Sequence, residues 1–251
     1  MQIELKGKVA LVTGGARDIG RATSLQLAKS GASVVVNYHS SGDKARAVCD
    51  EIRATGGRAV AVQADVTRID EIRRLFQEAS AAFGRLDILV NNAGGLLARK
   101  ALGEMDMAFW DEVMSLNLRS VAFVTQAALP HMVDGGAIVN VASLAARDGG
   151  GPGSTAYAAA KGGVLTLTRG LSKELSARKI RVNCVSPGMI DTTFHDTFTK
   201  PEARKATAAR TTIGREGTPD DVAKAIVFLA SDASSYINGE SIEINGGLYY
   251  V

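Results

Sequence analysis

Residues 9–28 read VALVTGGARDIGRATSLQLA: an apolar run, a glycine turn, then a segment with helical spacing. In a strand–turn–helix unit of this kind the turn faces the crevice at the carboxyl edge of a sheet, where nucleotides bind. Gly14 lets the chain reverse and Gly20 lets the helix pack close to the sheet. The free amides around Ile19 suit a pyrophosphate. Asp18 stands where a second spaced glycine is expected. Just before the helix, its carboxylate is expected to cap the first free amides, leaving backbone groups to bind the phosphates.

The same alternation runs along the chain. Apolar, β-branched runs at 8–14, 33–38, 59–66, 86–94, 136–143, 180–188 and 240–246 read as strands buried on both faces. Helical spacing lies between them at 19–29, 43–54, 69–83 and 155–176. Strands alternating with helices imply crossover connections. The expected fold is one α/β, doubly wound (Rossmann-type) domain over residues 1–251, with a seven-stranded parallel sheet and helices on both faces. Residues 189–219 are polar, carry no strand signal and directly follow a strand, so they are expected to form a substrate-binding loop or lid.

Composition narrows the function classes. Hydrophobic residues make up 46% and charged residues 22%, as in ordinary globular proteins, and the net charge of +3 comes without a basic run. Nucleic acid is therefore not an expected partner. No stretch approaches the roughly 20 apolar residues of a membrane span, and the N-terminal residues lack a leader pattern, so a cytoplasmic protein with no membrane partner is expected. Cys49 and Cys184 are far apart and near no histidine cluster, which points to no metal site and no disulfide.

At the end of the second strand, where NAD-binding sites place an acid on the ribose hydroxyl, this chain has Asn37, Tyr38, His39 and Ser40, and no acid before Asp43. Arg17 reaches from the glycine turn toward the same ribose. A guanidinium and hydroxyl donors suit a 2′-phosphate, which favours NADP(H) over NAD(H). Tyr157 and Lys161, four residues apart, share one helix face. A neighbouring ammonium favours phenolate and makes a tyrosine usable as a general acid or base. Ser143, at a strand end, is placed to hydrogen-bond a substrate oxygen.

Together TGGARDIG (13–20), NNAG (91–94), Ser143, YAAAK (157–161) and SPG (186–188) resemble the short-chain dehydrogenase/reductase family over essentially the whole chain. RVNCVSPGMIDT and GESIEINGG look most like its 3-oxoacyl-acyl-carrier-protein reductases. The resemblance implies that Tyr157 protonates a carbonyl oxygen as the nicotinamide delivers hydride, while Lys161 also holds the nicotinamide ribose. It implies that Asn117 holds a water beside the lysine. It places Asp65 and Val66 around the adenine, and Asn92, Ala93 and Gly94 beneath its ribose. Pro187 and Gly188 would form the wall behind the nicotinamide, with Ile190 nearby and Thr192 on the carboxamide. The interval from Ser143 to Tyr157 is one longer than the family's usual one, and Gly149, Gly150, Gly151 and Gly153 can absorb the extra residue.

The expected function is hydride transfer between NADP(H) and a ketone or secondary alcohol, a small-molecule carbonyl substrate of 3-oxoacyl type. The polar loop with Arg147 and Asp148 also suits a keto-sugar or uronate-derived keto acid. An NADP-binding sensor without turnover is the reading from another class. The resemblance further implies a homo-oligomer, tetramer or dimer, built through helices at 108–130 and 155–176.

Overall fold

Seven apolar runs pair into one parallel sheet. The computed structural model describes residues 3–251; Met1 and Gln2 of the expected domain lie outside the described residues. The strands are β1 (Val9–Val12), β2 (Ser33–Tyr38), β3 (Ala59–Gln63), β4 (Leu86–Asn91), β5 (Met132–Val141), β6 (Arg181–Pro187) and β7 (Ser241–Ile244). Among the described residues they form a single seven-stranded sheet of order β3-β2-β1-β4-β5-β6-β7, parallel throughout. This is the expected doubly wound α/β fold.

The helices are α1 (Asp18–Lys29), α2 (Gly42–Ala54), α3 (Ile69–Phe83), α4 (Met107–Met114), α5 (Ser120–Ala128), α6 (Ala145–Asp148), α7 (Thr155–Glu174), α8 (Thr193–Phe198), α9 (Pro201–Arg210) and α10 (Pro219–Ala230). Alternation along β1 distributes its side chains to two cores. Ala10 and Val12 join Leu27 of α1, Ile52 of α2 and Ile226 of α10 on one face. Val9 and Leu11 join Leu75 and Phe76 of α3 and Val124 of α5 on the other. Because both faces are covered, β1 is apolar and buried at every position rather than alternating. Both cysteines, Cys49 on α2 and Cys184 on β6, are buried free thiols. No helix among the described residues is long and apolar enough to cross a membrane.

Several expected strands overrun their carboxyl ends, and the overrun residues are informative. Thr13–Gly14, Asn92–Gly94, Ala142–Ser143 and Gly188 leave the ladder to form loops along one edge of the sheet. Those loops carry the site. At its amino end β5 instead begins early, because Met132 pairs with Leu86 before the register shifts and Ile88 pairs with Ala137.

The segment joining α4 to α5 departs from a plain helix. Ser115–Arg119 forms one wide π turn, a local bulge that turns side chains off the regular helical face. It points Asn117, wholly buried, back at the loop after β4.

Candidate active site

The turn after β1 is held by the strand beside it. Thr13 Oγ1 accepts hydrogen bonds from the amides of Asn92 (2.9 Å) and Ala93 (3.0 Å). Asn92 Nδ2 donates to the carbonyls of Thr13 (3.0 Å) and Gly14 (3.2 Å). From the other side Asn37 Oδ1 accepts from Gly14 N at 3.2 Å, and Asn37 Nδ2 donates to Val62 O and Ala64 O. Asn37 is thus a buried brace beneath the turn. Its amide is consumed by backbone, so it shapes the turn without lining the cleft.

Asp18 does not cap its helix. It is the first residue of α1, Arg17 occupies the cap position, and no side chain caps that end. Asp18 instead adopts a left-handed backbone, φ +50°, a region that disfavours residues with a Cβ. This conformation turns its carboxylate outward to Thr193, accepting from its amide at 3.2 Å and its hydroxyl at 2.6 Å. The glycine turn is thereby tied to the start of α8, 175 residues away. Replacing Asp18 with glycine is expected to change NADPH affinity only a few-fold in calorimetry, because the carboxylate is engaged by Thr193. The same substitution should speed proteolytic cutting within 193–210, since it frees that segment from the turn.

A cleft of about 1300 Å³ runs along these loops. Its walls include Gly14, Arg17, Asp18, Ile19, Gly20, Tyr38, His39, Ser40, Asn92, Ala93, Gly94, Ser143, Tyr157, Lys161, Pro187, Gly188, Ile190 and Thr192. Asn37, Asp65, Val66 and Asn117 stand outside those walls. Asp65 Oδ1 accepts from the amide (2.8 Å) and hydroxyl (2.7 Å) of Thr67, and Val66 is buried. The residues present fit a dinucleotide. The first intrahelical bond of α1 runs from Arg21 N to Arg17 O, so the amides of residues 18–20 lie ahead of it at the positive end of the helix. A Cβ on Gly20 would fall 2.1 Å from Gly14 O, so the close turn exists only with glycine there. Among the described residues no cluster of three His, Cys, Asp or Glu is arranged to hold a metal.

At the inner end of the cleft, α7 presents Tyr157 and Lys161. Burial pushes the Tyr157 hydroxyl above the ordinary phenol value, with nearby Ser143 acting weakly in the opposite sense. At neutral pH the group is a protonated phenol, the form that gives a proton to a carbonyl oxygen. Lys161 Nζ donates to Val141 O at 2.7 Å and lies 5.7 Å from the centre of the Tyr157 ring. Burial pushes this lysine down to about 8. The expected lowering of the tyrosine by its lysine is therefore not what this arrangement gives: desolvation dominates both groups. The Asn117 side chain is bound at both ends by backbone. Its Oδ1 accepts from Gly95 N and its Nδ2 donates to Gly95 O and Val113 O, each at 2.9 Å. It fixes the loop after β4, and its Oδ1 and Lys161 Nζ flank Gly94, 2.8 and 3.1 Å from where a Cβ would sit.

The depressed lysine sets a pH dependence for the cofactor-free protein. Between about 8 and the ordinary value of 10.5 the unfolded chain binds a proton that the folded chain has released, so this group makes stability rise with pH. Cys184, raised from 9.0 to about 11 by burial, acts in the opposite sense once pH passes its unfolded value. Urea unfolding should therefore show stability rising from pH 8 to 9, by less than about 1.4 kcal/mol for one proton. Lys161→Met should flatten that rise.

The segment after β6 closes the outer cleft. Arg204 of α9 binds Asp191 (2.6 Å), Asp196 (2.6 Å) and Glu216 (2.5 Å), pinning α8 and α9 to the chain on both sides. Phe194 and Phe198, one helical turn apart on α8, meet edge to face with ring centres 5.3 Å apart, and the Phe194 ring centre lies 5.9 Å from that of Tyr157. Burial, with Arg204 nearby, pushes the His195 imidazole down to about 4. Arg147 turns away from the cleft to Glu243 at 3.0 Å, because the short helix α6 points it at β7. It therefore cannot read a substrate. The sequence reading missed Phe194, Phe198 and Arg99, all in the cleft wall. The i, i+4 spacing in TFHDTF was a signal for the two rings, whereas nothing local marks Arg99.

Comparisons with known proteins agree with this geometry. A family described as enoyl-(acyl carrier protein) reductase matches residues 14–249. A hydroxynaphthalene reductase-like protein of Metarhizium brunneum is 42% identical, over 97% of this chain and 95% of its own. A 3-oxoacyl-(acyl-carrier-protein) reductase of Staphylococcus aureus is 41% identical, over 96% of this chain and 98% of its own. The crystal structure of a short-chain dehydrogenase from Burkholderia cenocepacia in complex with NADP superposes with a TM-score of 0.91 at 38% identity, covering 98% of this chain and 99% of that one.

Proposed function

The chain belongs to the short-chain dehydrogenase/reductase family of NAD(P)-dependent oxidoreductases, and from that membership we propose that it reduces a ketone with NADPH through Tyr157, Ser143 and Lys161. The observation that carries this reading is the convergence of Ser143, Tyr157 and Lys161 in one cleft wall, with burial keeping the Tyr157 phenol protonated. The nicotinamide, when bound, supplies the hydride. Tyr157 gives its proton to the carbonyl oxygen, and Ser143 donates a hydrogen bond to the same oxygen as negative charge develops. Lys161, one turn along α7, positions the nicotinamide ribose, and Asn117 acts by fixing the loop after β4 beside it. Thr192 and Ile190 hold the carboxamide end, against a wall formed by Pro187 and Gly188.

NADPH is favoured by charge. Arg17, His39, Ser40 and Ser41 line the adenosine end of the cleft, and the chain leaving β2 carries no acid before Asp43. The NADP complex of the Burkholderia relative supports the same choice. A substrate of 3-oxoacyl type is supported by likeness to the Staphylococcus enzyme. Residues 189–219 serve as the lid over that substrate, with Arg204 as its clasp. A homo-oligomer, tetramer or dimer, completes the proposal; it is supported by Met107 and Trp110 of α4 and Phe123 of α5, which are exposed on this protomer.

The test is the loss of NADPH absorbance, and separately of NADH absorbance, with an acetoacetyl thioester, simple β-keto esters and keto-sugar acids. Turnover faster with NADPH than with NADH is expected. Turnover with NADH alone would overturn the role of Arg17, and cofactor binding without turnover across all ketone classes would favour a sensor.

A further inference from the structure

Arg99 lies on the loop between β4 and α4, at the outer end of the same cleft. Its Nε donates to Phe198 O of the lid at 3.1 Å, and its Nη1 donates to Pro152 O of the opposite loop at 2.8 Å. The following amide, Lys100 N, donates to Gly153 O at 3.0 Å, so the backbone is fixed as well. The guanidinium thus spans the mouth, held by two neutral carbonyls rather than by a carboxylate. Its neighbours differ: Lys100 pairs with Asp106 and Arg204 with three acids. Among the described residues no carboxylate lies within 4 Å of Arg99 in an ion pair, and its Nη2 donates no hydrogen bond within the protein although the residue lines the cleft. Lys200 and Arg210, also in the cleft wall, are likewise outside any ion pair. The acid on this side is Asp148, with Oδ1 taken by Gly150 N at 2.8 Å. From Arg99 the wall continues to Tyr157 through Phe198 and Phe194, whose rings meet edge to face.

We propose that Arg99 is a specificity-determining anion site: the substrate is a ketone carrying a negatively charged group, separated from its carbonyl by a flat or apolar stretch that lies on Phe194 and Phe198. This deepens the reductase reading above and rests on it. An arginine already oriented by two carbonyls loses little rotamer freedom on binding an anion, and its fork matches carboxylate or phosphate oxygens. The anion has two chemical sources, a carboxylate on the ketone itself or a phosphate on a thioester carrier.

The experiment compares kcat/KM with NADPH for matched pairs: 3-acetylbenzoate against its methyl ester, and acetoacetyl-coenzyme A against the truncated N-acetylcysteamine thioester. The charged member should be preferred by roughly ten- to a hundredfold, the range of a charge-assisted pair. Arg99→Gln, which keeps donors for the two carbonyls, should bring that ratio near one, mainly through KM, and Arg99→Lys should restore part of it. A purely structural Arg99 would lower both members alike and leave the ratio unchanged, which overturns the proposal. Loss of preference confined to the benzoate pair identifies carboxylate as the source; loss confined to the thioester pair identifies phosphate. Calorimetric titration of 3-acetylbenzoate and coenzyme A into the enzyme–NADP+ complex gives a readout free of turnover. If no ketone is reduced yet binding of either anion depends on Arg99, the reductase reading fails and the anion site stands. If neither anion binds the native protein more tightly than Arg99→Gln, the anion site fails regardless of activity.

Discussion

Replacing Tyr157 with phenylalanine should lower kcat by roughly 10²- to 10⁴-fold, the span that a positioned general acid contributes, while NADPH affinity stays within a few-fold. The substitution removes one hydroxyl and leaves the ring in place. That ring packs against Phe194 at 5.9 Å and against the Lys161 side at 5.7 Å, so the cleft keeps its shape. The lost group is the protonated phenol that burial holds above its ordinary pKa; without it the oxygen of the reacting ketone meets only Ser143. Steady-state NADPH consumption and cofactor calorimetry separate the two effects. A variant retaining more than a tenth of the native kcat would remove Tyr157 from the role of proton donor.

Replacing Gly20 with alanine should disable the cofactor turn and destabilise the fold together. The new methyl would lie 2.1 Å from Gly14 O and 2.7 Å from Asn92 Nδ2. Neither can yield cheaply, since the first is backbone and the second is pinned to Thr13 O and Gly14 O. Overpacking of this kind costs about 1–3 kcal/mol, which lowers Tm by a few degrees at this chain length. Separating α1 from Gly14 also displaces the amides at the helix start, so NADPH affinity should fall by more than tenfold. Gly103→Ala is the control: a Cβ there meets nothing within 4 Å, and both readouts should stay near native. Normal NADPH binding by Gly20→Ala would show that the turn relaxes without cost.

Much of this architecture is written in local pattern. Runs such as SVVVNY are apolar on both faces and β-branched, and β2 covers the expected residues 33–38. The helix expected at 69–83 is matched end to end by α3, with Gly84 closing it in the left-handed conformation, φ +76°. Tyr157 and Lys161 are four apart on one helix, so their proximity was legible from spacing. What was not legible depends on distant chain. Asp18 looks like a helix cap from its neighbours, and only the arrival of Thr193 makes it a tether. Arg147 looks free until β7 brings Glu243 against it. Arg99 gains its meaning from Phe198 and Pro152, 99 and 53 residues away. The π turn that aims Asn117 has no composition of its own, because it arises where α4, packed on α7, must join α5, packed on β4 and α3.

The two buried thiols offer a clock for motion within the molecule. Cys184 sits on β6, wholly buried and raised to about 11, and Cys49 on α2 is raised as well. Only the thiolate reacts with an alkylating reagent, so in the native state both labels must wait for the chain to open. Cys49 lies under α2 on the β2–β3 flank of the sheet, whereas Cys184 lies on β6, one strand in from the opposite edge, near Lys161. Their labelling rates therefore time two different events, the lifting of α2 and the opening of the sheet interior. The ratio of the two rates measures how independently the two halves of the sheet breathe.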